Sequence, residues 1–364
     1  MQPFRILIVD DSAVIRKVLS NLLASDPEIV VAGTAGTGTQ ALSRIPEVKP
    51  DLITLDIEMP GMDGLETLVE IRKLYPKLPV IMFSTLTERG ATATLDALAR
   101  GASDYVTKPG HGGGSETSRE LVREELIRKI KSLCAVRAPL PRPMPTPISD
   151  RPVFGHPHLD RPQGRVDVVA IGTSTGGPNA LTALIPQLPA DFPVPIVIVQ
   201  HMPPLFTRLL ADRLHHMSRL QVQEGKDGER LQRGQIWIAP GDRHMTVVRT
   251  GTALTLGINQ EPPENSCRPA VDVLFRSVAR VYGANVLALV LTGMGADGTR
   301  GAAEIRQAGG EVMVQDEASS VVWGMPGSVV AAGLTQRIYP LSEIGHEVVR
   351  RVAAQRVLAN ASRG

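Results

Sequence analysis

Five polar side chains in the first third of the chain lie where short apolar runs end. Asp10 and Asp11 follow the run RILIV, Asp56 ends DLITLD, Ser84 ends PVIMFS, and Lys108 follows SDYVT. Ligands of open parallel sheets bind beyond the carboxyl ends of the strands, so these runs, read as strands, bring the side chains together. Converging carboxylates repel one another unless a divalent cation and a lysine offset their charge, and hard oxygen ligands suit Mg²⁺. The pattern predicts a magnesium-binding site.

A second candidate group begins with Ser174, which lies in the glycine-rich stretch VVAIGTSTGGPNAL, residues 168–181. The G-x-S-x-G pattern is typical of a nucleophile on a turn between a strand and a helix, but glycine-rich turns also bind phosphates. The dinucleotide fingerprint requires G-x-G-x-x-G, and a nucleotide loop requires G-K-[ST]. Neither is present here, so the nucleophile is the favoured interpretation.

A serine nucleophile needs a base and an orienting carboxylate. His201 directly follows the apolar run PIVIVQ, and Asp297 follows VLALVLT, so both belong at the same sheet edge as Ser174. His244 is the alternative base, but it lies in a region of short strands and glycine turns. In this hypothesis Ser174 attacks, His201 moves the proton, and Asp297 fixes the imidazole tautomer.

The same turns offer donors for an oxyanion. Amides at the start of the helix after Ser174, beginning with Thr175, point toward developing negative charge. The GMG turn around Met294 could supply a second donor. This chemistry requires no cofactor.

Alternating strand and helix patterns predict how these residues are positioned. Before residue 133, five strand-like runs alternate with amphipathic segments, which predicts a parallel sheet covered on both faces. After residue 166 the same alternation returns, interrupted near 219–260 by short runs and glycine turns that suggest hairpins. The fold class expected is α/β, with two doubly wound parallel-sheet domains and an antiparallel insertion in the second.

A proline-rich stretch separates the two patterns. The chain has 364 residues, which is long for a single core. Residues 135–165 contain eight prolines and no regular apolar period, as expected of a semi-stiff linker. We therefore predict domains at 1–133 and 166–358, joined by a linker at 134–165.

Bulk composition excludes several classes of protein. A net charge of +2, with no dense basic helix, gives no argument for nucleic-acid binding. Two cysteines, Cys134 and Cys267, provide neither a disulfide framework nor zinc-ligand spacing. No apolar run approaches the ~18 residues that cross a membrane, and the N-terminus shows no signal peptide. A cytoplasmic protein that is not embedded in a membrane is expected.

Residues 1–133 resemble the receiver domain of bacterial two-component response regulators, through the motifs VDDS, LDIEMPGMDG and TKP. The resemblance implies a flavodoxin-like fold in which Asp56 accepts a phosphoryl group from a histidine kinase. It also implies that Asp11, Asp56 and the main-chain carbonyl of Glu58 hold Mg²⁺.

The same resemblance assigns roles to the other residues of this group. It implies that Ser84 and Lys108 contact the phosphoryl oxygens, beside Asp10, and that Tyr105 is the aromatic switch. An aspartyl phosphate adds about two negative charges and new acceptor oxygens, which can pull a hydroxyl and a lysine inward.

Residues 166–355 resemble the catalytic domain of the chemotaxis receptor methylesterase family, often called CheB. The shared motifs are GTSTGG, QHMP, APGDRH, RPAVDVLFRSVA, LTGMGADG and DEASSVVWGMPG. Thr173 departs from the family pattern, in which alanine is commoner, and we expect that change to be neutral. The resemblance implies a Rossmann-like domain that hydrolyses γ-glutamyl methyl esters on methyl-accepting chemoreceptors, and in many members deamidates glutamine.

Two other functions stay open at this point. The second domain could be a catalytically silent interaction module, although Ser174, His201 and Asp297 together argue against it. It could also be an esterase or amidase that acts on a different signalling protein. Cys267 is interpreted as a spectator of the serine chemistry.

Overall fold

The computed structural model describes residues 2–108, 116–135 and 165–361. Most of the predicted linker therefore lies outside the described residues.

The N-terminal unit is a five-stranded parallel sheet in the order β2-β1-β3-β4-β5. Its strands are β1 (Phe4–Val9), β2 (Ile29–Ala35), β3 (Leu52–Asp56), β4 (Val80–Ser84) and β5 (Asp104–Thr107). Its helices are α1 (Ala13–Leu23), α2 (Gly38–Val48), α3 (Gly64–Leu74), α4 (Glu88–Ala99) and α5 (Glu116–Ala135). Helices α2, α3 and α4 pack on one face, and α1 and α5 pack on the other.

Side-chain caps fix where four of these helices begin. Ser12, Thr37, Asp63 and Thr87 each accept a hydrogen bond from a backbone amide of the first turn. Such caps satisfy amides that a helix start leaves without a partner. Helices α1, α2 and α4 start soon after the strands before them, at Ala13, Gly38 and Glu88, which keeps these loops short, whereas a longer loop joins β3 to α3.

The C-terminal unit is built on a seven-stranded parallel sheet in the order β14-β13-β12-β6-β7-β9-β8. Its first elements are β6 (Val168–Thr173), α6 (Gly177–Leu184), β7 (Ile196–Gln200), α7 (Pro204–Met217), β8 (Gln221–Glu224) and β9 (Gln235–Ile238). The hairpin β10 (His244–Thr250) and β11 (Ala253–Asn259) follows. The last elements are α8 (Val271–Tyr282), β12 (Val286–Val290), α9 (Thr299–Gln307), β13 (Glu311–Gln315), α10 (Gly324–Ala331), β14 (Ile338–Tyr339) and α11 (Leu341–Ala361).

The predicted fold class is confirmed, with one difference in extent. Strands β8 and β9 pair in parallel with each other, and β9 pairs in parallel with β7, so they extend the main sheet. Among the strands that the structure describes, the antiparallel pair is β10 with β11. The insertion is thus smaller than the region 219–260 expected from its glycine turns, because such turns do not distinguish a hairpin from a short crossover.

The two units share one continuous apolar core. The rings of Tyr105, on β5, and Phe206, on α7, stack at a centroid distance of 4.7 Å. Polar contacts join the same surfaces: Asn179 Nδ2 donates to the Leu98 carbonyl at 2.7 Å, and Arg213 pairs with Asp96 at 2.8 Å. The face formed by α4, β5 and α5 is therefore covered by the C-terminal unit.

Among the described residues, none of the helices combines the length and apolar character needed to span a membrane.

A buried ion pair holds α11 against the sheet, and it generates a stability prediction. Arg351 and Glu311, 2% and 7% exposed, are joined by two hydrogen bonds. We expect Arg351→Met to lower the free energy of unfolding by about 3 kcal/mol, because the buried Glu311 carboxylate then keeps only the more distant Arg337, whose Nε lies 3.8 Å away. Both tryptophans, Trp237 and Trp323, lie in this unit, so urea unfolding followed by tryptophan fluorescence reports on it.

Arg350→Met is the matched control for this experiment. Arg350 is exposed and pairs with Glu347 one turn away on the same helix, so its loss should cost less than about 1 kcal/mol. Equal effects of the two substitutions would contradict the assigned role of the buried pair.

Candidate active site

Ser174 lies on a tight turn between β6 and α6. Its amide donates to the Thr292 carbonyl at 3.1 Å, and its carbonyl accepts from Gln200 Nε2 at 3.0 Å. Gly176 turns the chain into the helix with φ at +79°, a left-handed conformation that favours glycine. The turn is thus fixed from the neighbouring strands on both sides.

Two close approaches around this turn require glycine. A Cβ at Gly177 would lie 2.0 Å from Gln200 Oε1, and a Cβ at Gly293 would lie 2.9 Å from the Cβ of Ser174. Larger residues at either position would push the serine turn away from its neighbours. Glycine at positions 177 and 293 therefore lets the serine turn pack closely against its neighbours.

Thr292 organises this edge, and sequence reasoning missed it. Its hydroxyl donates to the Thr175 carbonyl at 2.9 Å and accepts from the amides of Val321 and Val322, both at 3.1 Å. Its amide donates to Gln315 Oε1 at 2.9 Å. A buried threonine after a strand carries no signal of this kind in a single sequence.

His201 and Asp297 form a close pair. His201 Nε2 lies 2.8 Å from Asp297 Oδ2. The same carboxylate accepts from the amides of Val271 at 2.7 Å, Asp272 at 3.0 Å and Gly298 at 3.0 Å. With its oxygens occupied by fixed donors, Asp297 is held in the position of an orienting carboxylate.

The charges of this pair support each other. Burial alone would raise the pKa of Asp297, but the hydrogen bond and charge of His201 and two backbone amides outweigh it, and the pKa is lowered. Burial alone would lower the pKa of His201, but hydrogen bonds with Asp297 and Cys267 raise it to about 10. The Asp297 carboxylate thus stabilises the positive charge that His201 gains when it takes a proton.

Asn265 is a second contact that sequence reasoning missed. Its side-chain amide donates to Asp297 Oδ1 at 2.8 Å and to Asp272 Oδ2 at 2.9 Å. The two carboxylates would otherwise repel each other, and burial together with the charge of Asp297 raises the pKa of Asp272. Asn265 therefore bridges the two acids.

Ser174 and His201 line the same cavity, together with Cys267 and Met294. Within the described part of the chain no hydrogen bond joins Ser174 to His201; the imidazole Nδ1 instead contacts Cys267 Sγ at 3.6 Å. The three residues predicted to be catalytic thus lie at one edge of the sheet, but no hydrogen bond joins Ser174 to His201 in this arrangement. The cavity is small, about 90 Å³.

The two predicted oxyanion donors, Thr175 and Met294, both line this cavity. Their amides donate to no residue that the structure describes. The side-chain hydroxyl of Thr175 makes a different contact: it donates to Asp104 Oδ2, on β5 of the receiver unit, at 2.5 Å.

The alternative base, His244, lies elsewhere and is fully buried. Its Nδ1 accepts from the Ala270 amide at 3.2 Å, and its Nε2 lies 3.1 Å from the Pro262 carbonyl. These contacts tie the hairpin to the start of α8, which is a structural role.

The residues predicted for the first site also gather at one sheet edge. Lys108 Nζ lies 3.1 Å from Asp10 Oδ2 and 2.8 Å from Asp56 Oδ2. Burial raises the pKa of Asp56 to about 6 even though Lys108 opposes the shift. Burial disfavours the charge of Lys108, but its contacts with the two carboxylates outweigh burial and raise the pKa of Lys108.

The donor set fits Mg²⁺. Asp10, Asp11 and Asp56 each offer a carboxylate oxygen within 4.8 Å of the others, with Lys108 as the nearby cation. Three carboxylates and one ammonium leave about two negative charges for a divalent ion to neutralise. The Glu58 amide donates to Asp56 Oδ1 at 3.4 Å, so the backbone of Glu58 is beside the cluster.

Ser84 and Tyr105 point away from this cluster. Ser84 Oγ donates to the Gly90 carbonyl at 3.1 Å and accepts from Thr94 at 2.7 Å. The Tyr105 ring is buried against Phe206, and burial raises the pKa of its phenol well above the usual value. The hydroxyl predicted to contact a phosphoryl group is here bonded to α4.

Comparison with known proteins gives matches to both units. Residues 169–348 match the family described as CheB methylesterase, and residues 6–113 match the response regulator receiver domain. A protein of Trichodesmium erythraeum named protein-glutamate methylesterase/protein-glutamine glutaminase is 51% identical, covering 97% of this chain and 100% of that protein. A protein of the same name from Nocardioides sp. is 52% identical, covering 98% and 97%.

A solved structure shows the same relationship for the second unit. The Thermotoga maritima CheB methylesterase catalytic domain aligns with a TM-score of 0.50 and 41% identity, covering 51% of this chain and 99% of that one. The chain therefore belongs to the CheB methylesterase family of hydrolases, and it carries its catalytic unit behind a response-regulator receiver domain.

Proposed function

We propose that this protein hydrolyses γ-glutamyl methyl esters on methyl-accepting chemoreceptors, and deamidates glutamine at equivalent positions, under the control of receiver phosphorylation. The observation that carries this proposal is the His201–Asp297 pair, 2.8 Å apart, whose imidazole lines the same cavity as Ser174. The names of the relatives support the choice of substrate.

The proposed reaction uses the three side chains in turn. Ser174 Oγ attacks the ester carbonyl as its proton passes to His201 Nδ1, while Asp297 keeps the proton on Nε2. The tetrahedral oxyanion accepts from the amides of Thr175 and Met294. When the tetrahedral intermediate collapses, the bond between the carbonyl carbon and the methoxy oxygen breaks. The methoxy group takes the proton from His201 and leaves as methanol. A water molecule then attacks the acyl-enzyme in the same way, with His201 again taking the proton, and glutamate is released.

The same steps account for deamidation. A glutamine side chain presents the same carbonyl, and ammonia replaces methanol as the leaving group. Because the leaving amine must be protonated, His201 acts as a general acid in that step. A single triad can therefore serve both reactions.

In the receiver unit, Asp56 is the proposed acceptor of a phosphoryl group from a histidine kinase. Asp11, Asp56 and the Glu58 carbonyl would hold Mg²⁺, which supplies neutralisation of the phosphoryl charge. Lys108, already 2.8 Å from Asp56, would bind a phosphoryl oxygen beside Asp10. Ser84 would exchange its bond with the Gly90 carbonyl for one to the phosphoryl group.

Regulation is proposed to act through the face that covers the catalytic cavity. Asp104, Tyr105 and Lys129 of the receiver unit line the cavity together with Ser174. A cavity of about 90 Å³ behind these side chains is too small for a helical receptor segment. Phosphorylation would reposition Ser84 and Tyr105, release the stacking on Phe206, and open the cavity.

A different protein substrate is the second candidate. The surface that would bind a receptor helix is covered in this arrangement. Its shape therefore does not distinguish a chemoreceptor from another protein substrate. Cleavage of simple esters without cleavage of methylated receptors would favour this alternative.

Replacing the nucleophile provides the first test. We expect Ser174→Ala to reduce methanol release from methylated receptor membranes by at least about 10³-fold, because the acyl-enzyme cannot form. Ser218→Ala is the control, since Ser218 lies just after α7, at the opposite end of that helix from the loop that carries His201. Retention of most activity by Ser174→Ala would exclude this serine as the nucleophile.

Replacing the phosphoryl acceptor provides the second test. We expect Asp56→Asn to keep a basal methylesterase rate that no longer rises with acetyl phosphate and Mg²⁺, because an amide does not form the acyl phosphate. Asp26→Asn, at a half-buried ion pair with Lys131 outside this cluster, should respond as the unaltered protein does. A full response from Asp56→Asn would contradict the proposed acceptor.

A further inference from the structure

The catalytic imidazole has a second neighbour that its proposed reaction does not use. Because His201 Nε2 is held by Asp297, Nδ1 is the nitrogen left to serve as base, and Cys267 Sγ lies 3.6 Å from it. The sulfur therefore occupies the place that the hydroxyl of Ser174 needs when it gives up its proton. A thiol, an imidazole and a carboxylate in this sequence form the contacts of a cysteine nucleophile with its base.

A tight turn holds the thiol in this place. The Glu264 amide donates to the Cys267 carbonyl at 3.1 Å, and the Cys267 amide donates to the Glu264 carbonyl at 2.8 Å. Glu264 forms a bidentate ion pair with Arg276 on α8, at 2.7 and 2.5 Å. Between them, Asn265 binds Asp297 at 2.8 Å. The turn is thus anchored to the same carboxylate that orients the imidazole.

The environment of Cys267 differs from that of the other cysteine. Cys267 is half-buried and lines the catalytic cavity, whereas Cys134 is 3% exposed within the apolar core of α5. Thiols become reactive where a neighbouring cation stabilises the thiolate and a small reagent can reach the sulfur. Cys267 has a histidine at hydrogen-bond distance and lines a cavity, whereas Cys134 is packed in the apolar core.

We propose that Cys267 is a reactive thiol and that its covalent modification switches the hydrolase off by blocking His201 Nδ1. With an alkyl iodide, sulfur forms a bond to carbon as the carbon–iodine bond breaks and iodide leaves. With a peroxide, sulfur is oxidised to sulfenic acid as the oxygen–oxygen bond breaks and the peroxide is reduced to water. The thiol proton is taken by Nδ1. The inhibitory effect rests on the proposed role of His201, whereas the reactivity does not.

The test uses the full-length protein and iodoacetamide, with the site of modification read by peptide mass spectrometry. We expect Cys267 to be alkylated at least about tenfold faster than Cys134, and methylesterase activity to fall in step with that single adduct. Cys134→Ser should lose activity at the same rate. Cys267→Ser, compared with its own untreated sample, should lose none.

A second set of variants separates activation by the histidine from simple exposure. His201→Gln should slow alkylation of Cys267 by at least about tenfold, because it removes the base next to sulfur, while Ser174→Ala should leave that rate unchanged. Equal alkylation of Cys267 in the unaltered protein and in His201→Gln would overturn the proposal, as would full activity of the Cys267 adduct. A failure of the proposed serine mechanism would be seen in a different result, namely activity retained by Ser174→Ala, so the two proposals can be told apart.

Discussion

Parallel strand direction is the constraint on which both sites depend. Every paired strand of the two main sheets runs the same way, so the loops that follow the strands gather at one edge of each sheet. Adjacent strands β12, β6 and β7 each lead into one member of the Asp297, Ser174 and His201 group. In the receiver unit, β1, β3 and β5 deliver Asp10, Asp56 and Lys108 in the same way. Side chains over a hundred residues apart can therefore share one site without any long connecting loop.

Strand β5 connects the two sites over a short distance. Lys108, just beyond its end, contacts Asp56, and Asp104, at its start, accepts from Thr175 beside the candidate nucleophile. At a rise of about 3.3 Å per residue, the two contacts are separated by only about 13 Å of backbone. Tyr105 lies between them and stacks on Phe206. A charge change at Asp56 would thus act on a strand that already touches the Ser174 turn, which gives the proposed regulation a short physical route.

The sequence was sufficient for features that repeat along the chain or follow a strand directly. Alternating apolar runs predicted both parallel sheets. Strand-end positions favoured His201 over His244 as the base of Ser174, and in the structure His201 lies 2.8 Å from Asp297. Contacts made by single polar residues from distant loops were not predictable. Thr292, Asn265 and Asp104 act through partners far away in the chain, and a lone threonine, asparagine or aspartate has no periodicity that reveals them. The thiol at Cys267 was interpreted as a spectator because only the fold brings it to the imidazole. The bonds of Ser84 to Gly90 and Thr94 of α4 are likewise made by single polar groups, which patterning does not reveal.

Hydrogen–deuterium exchange of the intact protein, with and without acetyl phosphate and Mg²⁺, tests the coupling of the two sites most directly. Two segments matter: residues 98–108, which include β5, and residues 172–177, which include the Ser174 turn. The Thr175–Asp104 bond joins these two segments, and the Tyr105–Phe206 stack joins the first of them to α7. If phosphorylation separates them, both segments gain exchange together, while the buried strand β12 stays protected. Unchanged protection of both segments in protein that carries a phosphoryl group on Asp56 would contradict the account.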